Sequence, residues 1–472
     1  MFAELFVSLQ LEIFINSKIS LIMRKLFLSF LLAILVPMMA EAEDMYTVYD
    51  DGAKTFTFYY DDESGDRNGE SYYIMPDESG EPEWYKADWK EKVAKVVFAS
   101  SFAKARPTNT SYWFKGFKNM TVIVGLEYLN TSKVTSMASM FSGCEALTTL
   151  NVSHFNTGNV TNMSDMFYGC KALTTLDVSR FNTGKVTNMW GMFGGCSGLK
   201  SLDVSNFNTG KVTNMNYMFS YCDALTSLDL SNFNTSNVTS MTAMFCYCYA
   251  LASLDVSHFD TGNVTDMSGM FCGCSGLKSL DVSHFNTGNV TRMVNMFTSC
   301  WSLTSLDVSH FDTGKVTDMN NMFNYCWSLT SLDVSNFDMK KVENIRGMFT
   351  WCKGLTTIYC NDDWNTDDMI SSGMFENCIS LMGGSNTLYD SKKVDATMAH
   401  PDTKDNPGYF TCKEDKPEGD LTHDGKIDTA DVVWLVAIMI NNSSVSLEEG
   451  DLNHDGAVNV ADVVKLITMI KR

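Results

Sequence analysis

Between residues 129 and 382 the apolar positions recur at a fixed interval of 26, marked by Cys144, Cys170, Cys196, Cys222, Cys248, Cys274, Cys300, Cys326 and Cys352. One unit, Val160 to Lys185, reads Val-Thr-x-Met-x-x-Met-Phe-x-x-Cys-x-x-Leu and then Thr-Thr-Leu-Asp-Val-Ser-x-Phe-Asn-Thr-Gly-Lys. Leu202 and Val204 alternate with Asp203 and Ser205, which predicts a short strand with one buried face. Val212 to Cys222 sets Met215, Met218, Phe219 and Cys222 on one side of a predicted short helix. Thr-Gly-Asn/Lys supplies the turn between units: Gly tolerates positive φ, and Asn or Thr can cap the first exposed N–H groups. The recurring Met and Cys read as core filler, because a thioether adapts to irregular gaps and a free thiol behaves as a small hydrophobe.

One such coil cannot bury its apolar face alone, so the array must fold as a stack, and a period of 20 to 29 residues marks leucine-rich solenoids. The predicted fold class is an α/β repeat solenoid: leucine-rich-repeat-type coils of short strand plus short helix, with end caps, followed by a small all-α paired calcium-loop domain. The N-terminal cap is assigned to 43–128, with strands at Thr55 to Tyr60 and Val93 to Phe98 flanking an acidic turn region from Asp61 to Glu83. The repeats occupy 129–382 and a C-terminal cap 383–412. A charged linker, 413–418, contains Pro417 and leads into a last domain at 419–472.

That last segment is a duplication of period 31. Asp420, Thr422, Asp424, Lys426, Asp428 and Asp431 correspond to Asp451, Asn453, Asp455, Ala457, Asn459 and Asp462. Oxygen ligands at positions 1, 3, 5, 9 and 12, a backbone carbonyl at 7 and Gly at 6 (Gly425, Gly456) are what a twelve-residue Ca²⁺ loop requires, since Ca²⁺ takes six to eight hard oxygens. Two ions are therefore expected as cofactors. Asp closes both loops where Glu is usual, and Thr422 replaces Asn or Asp, so the second loop should bind more tightly. Each loop runs into an apolar helix, 432–440 and 463–470, with Leu435 and Leu466 in equivalent places. So small a core would be marginal alone, and the metal is expected to supply folding free energy.

Charge and targeting narrow the function. Acidic residues outnumber basic ones by 56 to 35, and no basic cluster follows residue 43, so nucleic acid is not an expected partner. With seven histidines and no His-Glu-x-x-His or Gly-x-Ser-x-Gly spacing, nothing reads as catalytic. Met23-Arg24-Lys25, the apolar run Leu26 to Met39 and Ala40-Glu41-Ala42 read as a secretory signal peptide, 23–42. Residues 1–22 then read as an upstream translation artefact, or else as a long n-region. No transmembrane segment is expected in the mature chain, which is placed in the secreted or bacterial cell-surface compartment.

Three ladders run across the units. Asn151, Asp177, Asp203, Asp229, Asp255, Asp281, Asp307 and Asp333 share one strand position, read as acceptors for nearby backbone N–H groups or as a cation-binding stripe. His258, His284 and His310 read as a solvated turn. Trp301 and Trp327, with Tyr325 and Trp351 beside them and Tyr221, Tyr247 and Tyr249 further along, read either as cover for the solenoid edge or as a ligand face that stacks on sugars or anchors a protein. Cys246 and Cys272, one repeat apart and two residues before ladder cysteines, are candidates for a bridge, as are Cys360 and Cys412 across the C-terminal cap.

The repeated Val-Thr-x-Met-x-x-Met-Phe-x-x-Cys-x-x-Leu-x-x-Leu-Asp-Val-Ser-x-Phe-x-Thr unit resembles the BspA-like leucine-rich-repeat surface proteins of bacteria over roughly residues 93 to 412. The resemblance implies an exported, non-enzymatic, adhesin-like protein that binds a host or neighbouring-cell protein or glycan. The duplicated calcium loops resemble a type I dockerin, which implies tethering to a cohesin-bearing scaffold or surface protein. The contact residues so implied are Thr429, Ala430, Val460 and Ala461. The alternative is a carbohydrate-binding or scaffolding accessory subunit of an extracellular polysaccharide-degrading complex.

Overall fold

The computed structural model describes residues 44–74, 80–364, 369–413, 419, 421–422, 427–440, 450–453 and 457–470. The segment read as a signal peptide, residues 1–22 before it and 414–418 of the linker lie outside the described residues.

The chain begins with a five-stranded sheet of order β3-β1-β2-β4-β5, comprising β1 (Asp44–Asp50), β2 (Thr55–Asp61), β3 (Glu70–Tyr73), β4 (Lys95–Phe98) and β5 (Val122–Val124). The Thr55 to Tyr60 run forms β2 as its alternation predicts, with Phe56 and Phe58 fully buried. β3 emerges from the stretch read as a turn region. Strands β1 and β2 are antiparallel, whereas β2, β4 and β5 run parallel, so the sheet already follows the direction of the coils. Phe58, Phe98 and Trp113 pack around Phe114, whose ring lies over Phe141 of the first coil at 5.2 Å. From there one column of phenyl rings, Phe141 to Phe375, runs the length of the stack, successive centroids 5.7 to 5.8 Å apart and nearly parallel. Tyr409 and Phe410 close the column edge-on.

The coils do not contain the predicted short helix. In the Val212 to Cys222 type of segment each i, i+3 backbone bond closes a turn, as in Met166 N–H to Met163 and Cys170 N–H to Phe167, and the next turn reverses hand. Two residues per coil sit at positive φ, Asp165 (53°) and Gly169 (69°) in one unit, and the equivalents elsewhere. This frees every second N–H to bond the following coil: Met163 to Asn188, Asp165 to Trp190, Phe167 to Met192 and Gly169 to Gly194, at 2.7 to 3.0 Å. Met, Met-Phe and Cys still point inward, so a helical spacing of apolar residues is met by a different backbone. Inter-coil hydrogen bonds are worth more than intra-coil ones here, because a two-turn helix would gain few bonds for its nucleation cost.

The Leu-Asp-Val segment keeps its buried/exposed alternation, Leu202 and Val204 in and Asp203 out, yet forms ladders only near the C-terminal end. There β6 (Ser331–Asp333), β7 (Thr357–Tyr359) and β8 (Phe410–Thr411) pair in parallel. The corner before each unit is held by a buried threonine. Thr183 Oγ1 accepts from Asn208 N–H at 2.7 Å and donates to Asn208 O at 3.0 Å, and the same pair of bonds recurs through most of the array. The Thr-Gly turn needs no positive φ: Asn182 Oδ1 accepts from Gly184 N–H, and Ser236 stands in the glycine's place two units further on.

The C-terminal segment holds two helices, α1 (Thr429–Ile440) and α2 (Val460–Ile470), each starting three residues before its predicted position. Their contact is small: Leu435 and Leu466 are fully buried, joined by Leu421 and Leu452. Among the described residues no helix is long and apolar enough to cross a membrane.

Candidate functional site

The two left-handed positions of each coil decide which side chains leave the solenoid's turn face. In the position before the ladder cysteine, Gly143, Gly169, Gly195 and Gly273 adopt positive φ without strain, but Tyr221 (56°), Tyr247 (61°), Tyr325 (59°) and Trp351 (62°) adopt it as well. A left-handed conformation costs a residue with a Cβ roughly 1–2 kcal/mol. Bulky residues held there are uncommon, and such outliers gather at functional sites.

The sequence-predicted ligand face is assembled on this edge. Trp301 and Trp327 stack at 5.0 Å and 8°, and Tyr325 and Trp351 at 5.6 Å and 6°; Tyr325 also meets Trp327 at 6.2 Å. Both Trp301 and Trp327 remain 40% exposed. Lys353 lies over Trp351 at 4.6 Å and over Trp327 at 5.9 Å, giving one end of the cluster a cation. The second group, Tyr221, Tyr247 and Tyr249, is brought together in the same way, with centroids 4.7 and 5.6 Å apart.

The other ladders are structural. Oδ1 of Asp177 accepts from the backbone N–H and the hydroxyl of Ser179, at 3.0 and 2.6 Å, and the pattern repeats at Asp203, Asp255, Asp307 and Asp333. At Asp177, Asp203, Asp255 and Asp281 the serine hydroxyl and N–H hold the carboxyl below its ordinary value. His258, His284 and His310 are exposed, as a solvated turn expects; His258, His310 and the equivalent His154 also place Nε2 2.8 to 2.9 Å from a carbonyl of the preceding coil and so link neighbouring coils. The ladder thiols point away from one another: each S–H donates to a phenylalanine carbonyl 2.9 to 3.3 Å away, as Cys170 does to Phe141. Neither candidate bridge is closed in this structure: Cys246, Cys272 and Cys360 are buried free thiols and Cys412 is an exposed one.

A groove absent from the sequence reading lies where β5 meets the first coils. Its volume is about 620 Å³, with Val122, Ile123, Leu150 and Leu176 on its apolar side and His154, Asp177 and Asp203 among its polar lining. It opens beside Val122 and Val124, 41% and 45% exposed, on a strand whose outer edge joins no ladder among the described residues.

In the C-terminal segment Asp420, Asp424, Lys426 and Asp455 lie outside the described residues. Asp431 is fully buried; its Oδ1 accepts from the N–H groups of Leu421 and Thr422 and from the Thr422 hydroxyl at 2.8 to 3.0 Å, and Oδ2 accepts from Asp428 N–H. Burial opposes its ionisation, but these donors outweigh it and hold the carboxyl below its ordinary value. Asp462 repeats the arrangement with the N–H groups of Asn453 and Asn459. In the first loop the Thr422 hydroxyl and the Asp431 carboxylate, positions 3 and 12, meet; Asp431 and Thr422 offer only hard oxygens, the donor type that Ca²⁺ takes, and among the described residues no cluster of three or more His, Cys, Asp or Glu side chains could hold a metal. Asp428 and Asn459 accept from Ala430 and Ala461 N–H and start the helices, leaving Thr429, Ala430, Val460 and Ala461 exposed on their first turns. Val433 and Val464, 31 residues apart, are also exposed, at 68% and 56%.

No curated protein matches this chain in sequence. Among solved structures it is similar to a leucine-rich repeat protein from Bacteroides ovatus, at 15% identity, 72% of this chain, 80% of that one and a TM-score of 0.37. A leucine-rich repeat protein from Eubacterium ventriosum matches at 17% identity, over 75% of this chain and 90% of that one, with a TM-score of 0.35. The functional domain of InlJ from Listeria monocytogenes, which includes a cysteine ladder, matches at 20% identity, over 62% and 59% of the two chains, with a TM-score of 0.25. A family model matches at residues 108–227, 192–297 and 270–388, together more than half of the sequence, and the chain belongs to that family, described as Mycoplasma protein of unknown function, DUF285.

Proposed function

We propose that this chain is a non-enzymatic, exported bacterial surface protein whose solenoid presents an aromatic ligand face and whose C-terminal loop pair, holding two Ca²⁺ ions, tethers it to a cohesin-bearing scaffold or surface protein. The observation that carries the binding role is the retention of Tyr325 and Trp351 at left-handed positions that other coils give to Gly. Nothing in the packing of a coil calls for that strain, since Gly143, Gly169, Gly195 and Gly273 build the same turn without it. Stacked, half-exposed rings bury a large apolar area at small entropic cost, as an anchor for a protein partner must. The tethering role rests on the duplicated twelve-residue loop sequence, in which Asp431 and Asp462 are held alike by backbone N–H groups of their own loops, and on the matched apolar residues exposed on α1 and α2.

A carbohydrate-binding role within a polysaccharide-degrading complex is the alternative, and the stacked tryptophans favour it to the extent that sugar rings also pack on aromatic faces. The discriminating experiment compares the intact chain with the Trp301→Ala/Trp327→Ala variant on glycan arrays and on a panel of host matrix proteins. Loss of capture on the protein panel at an unchanged unfolding midpoint is expected. Capture confined to the glycan array selects the alternative, and capture unaffected by the substitutions removes the site assignment altogether.

A further inference from the structure

Two cysteines of this chain depart from the ladder in chemistry as well as in position. The position two residues before the ladder cysteine is Ser142, Tyr168, Gly194 and Ser220 in the first coils and Thr298, Asn324 and Thr350 in later ones; only in the two adjacent central coils is it Cys, at 246 and 272. Ladder thiols donate their S–H to phenylalanine carbonyls and so do not face each other. Cys246 and Cys272 instead pack together across the coil boundary, both as free thiols. They form, with Ala243 and Tyr247, a small buried cluster separate from the main core. Equivalent positions on neighbouring coils lie about 4.8 Å apart, within the Cα separations a disulfide spans.

The cluster is shallow. Cys246 and Cys272 retain 8% and 6% exposure, whereas the ladder thiols beside them, Cys248 and Cys274, retain none. Tyr247 forms the lid: its ring lies so close over Gly273 that a Cβ there would meet Cδ1 at 2.3 Å, and it packs against the cysteine cluster. Cys246 and then Tyr247 favour the thiolate of Cys272 against burial, while the same pairing holds Cys246 protonated.

We infer that Cys246 and Cys272 are a modification site, an inter-coil disulfide made and opened by exchange with a small-molecule or protein disulfide. The Cys272 thiolate attacks one sulfur of the incoming disulfide, forming a mixed disulfide and releasing one thiolate. Cys246 then loses its proton to solvent and displaces the second thiolate, closing the bridge; two cysteines are oxidised and one external disulfide is reduced to two thiols. The bridge staples the central coils directly beneath Tyr221, Tyr247 and Tyr249. It stands independently of the ligand face at Trp301 and Trp327.

The test uses the intact chain, incubated with reduced or with oxidised glutathione, then unfolded and alkylated without reductant. Of its 14 cysteines, two are expected to escape alkylation in the oxidised sample only, and peptide mapping should join the segment containing Cys246 to that containing Cys272. In the Cys246→Ser variant, Cys272 should stop at a glutathione adduct. Full alkylation of the oxidised chain, or protection mapped to Cys360 and Cys412 or to ladder cysteines in place of this pair, overturns the proposal. A Cys246→Ser chain that takes up no glutathione at Cys272 overturns the order of attack.

Discussion

The middle of the solenoid and the C-terminal helix pair solve the same problem with very different means. A central coil has a neighbour on each side, so Phe245 is stacked between Phe219 and Phe271, and its buried Met, Cys and Leu side chains join one core that runs from the first sheet to Phe410. The helix pair has four buried leucines and carboxylates fixed by backbone N–H groups. Stability in the first is a sum of nearest-neighbour terms, whereas the second has only a small apolar core, which would be marginal on its own. A repeat can therefore tolerate local strain; a module this small is expected to need its ligand, the proposed Ca²⁺ ions, to hold its loops.

The sharpest way to break this comparison is to withhold the proposed Ca²⁺. In the intact chain, a chelator should abolish protection of residues 419–472 against proteolysis and hydrogen exchange while leaving residues 129–382 unchanged. Equal protection with and without Ca²⁺ would refute metal dependence. Next in size, Phe245→Ala should cost about 3–5 kcal/mol in the denaturant midpoint of the solenoid, because the cavity is walled by rings on both sides and cannot collapse. A loss below about 1 kcal/mol would mean that neighbouring coils re-pack freely.

A smaller effect tests strain inside the array. Asp165 sits at φ 53° with Oδ1 unpaired and buried, and burial, opposed by Lys115, pushes its pKa from 3.8 up to about 6. The folded state therefore binds a proton more tightly than the unfolded chain, so stability should rise as pH falls from about 6 towards 4 and be lowest above 6. Asp165→Asn should add about 1 kcal/mol at pH 7, discounted for partial exposure, with the gain shrinking towards pH 4. A pH-independent difference would show that the carboxylate is not the source.

The period, the inward Met, Met-Phe and Cys, and the aromatic cluster were all legible in the sequence, because repetition reports which positions are shared and which specialise. The path of the backbone was not. Met215, Met218, Phe219 and Cys222 have helical spacing, but alternating turns place the same four side chains inward while offering N–H groups to the next coil. A usable signal lay in the residues tolerant of positive φ, Gly191, Gly269, Asn295 and Asn321 at one position and Gly143, Gly169 and Gly195 at the other. The groove beside β5 had no such signal, since it arises where the sheet and the first coils fail to pair.

By itself the sequence determined the stack, its register and the chemistry available on each coil, because a 26-residue unit repeated this closely can bury its apolar side only against its own copies. Only the tertiary structure decided what the ladders do: which carboxylates are spent on serine N–H groups, which thiols face carbonyls and which pack in a cluster of their own, and which rings are held on a strained backbone. Those outcomes depend on the coil that follows, whose carbonyls and ring faces complete each site, and no local pattern contains that partner.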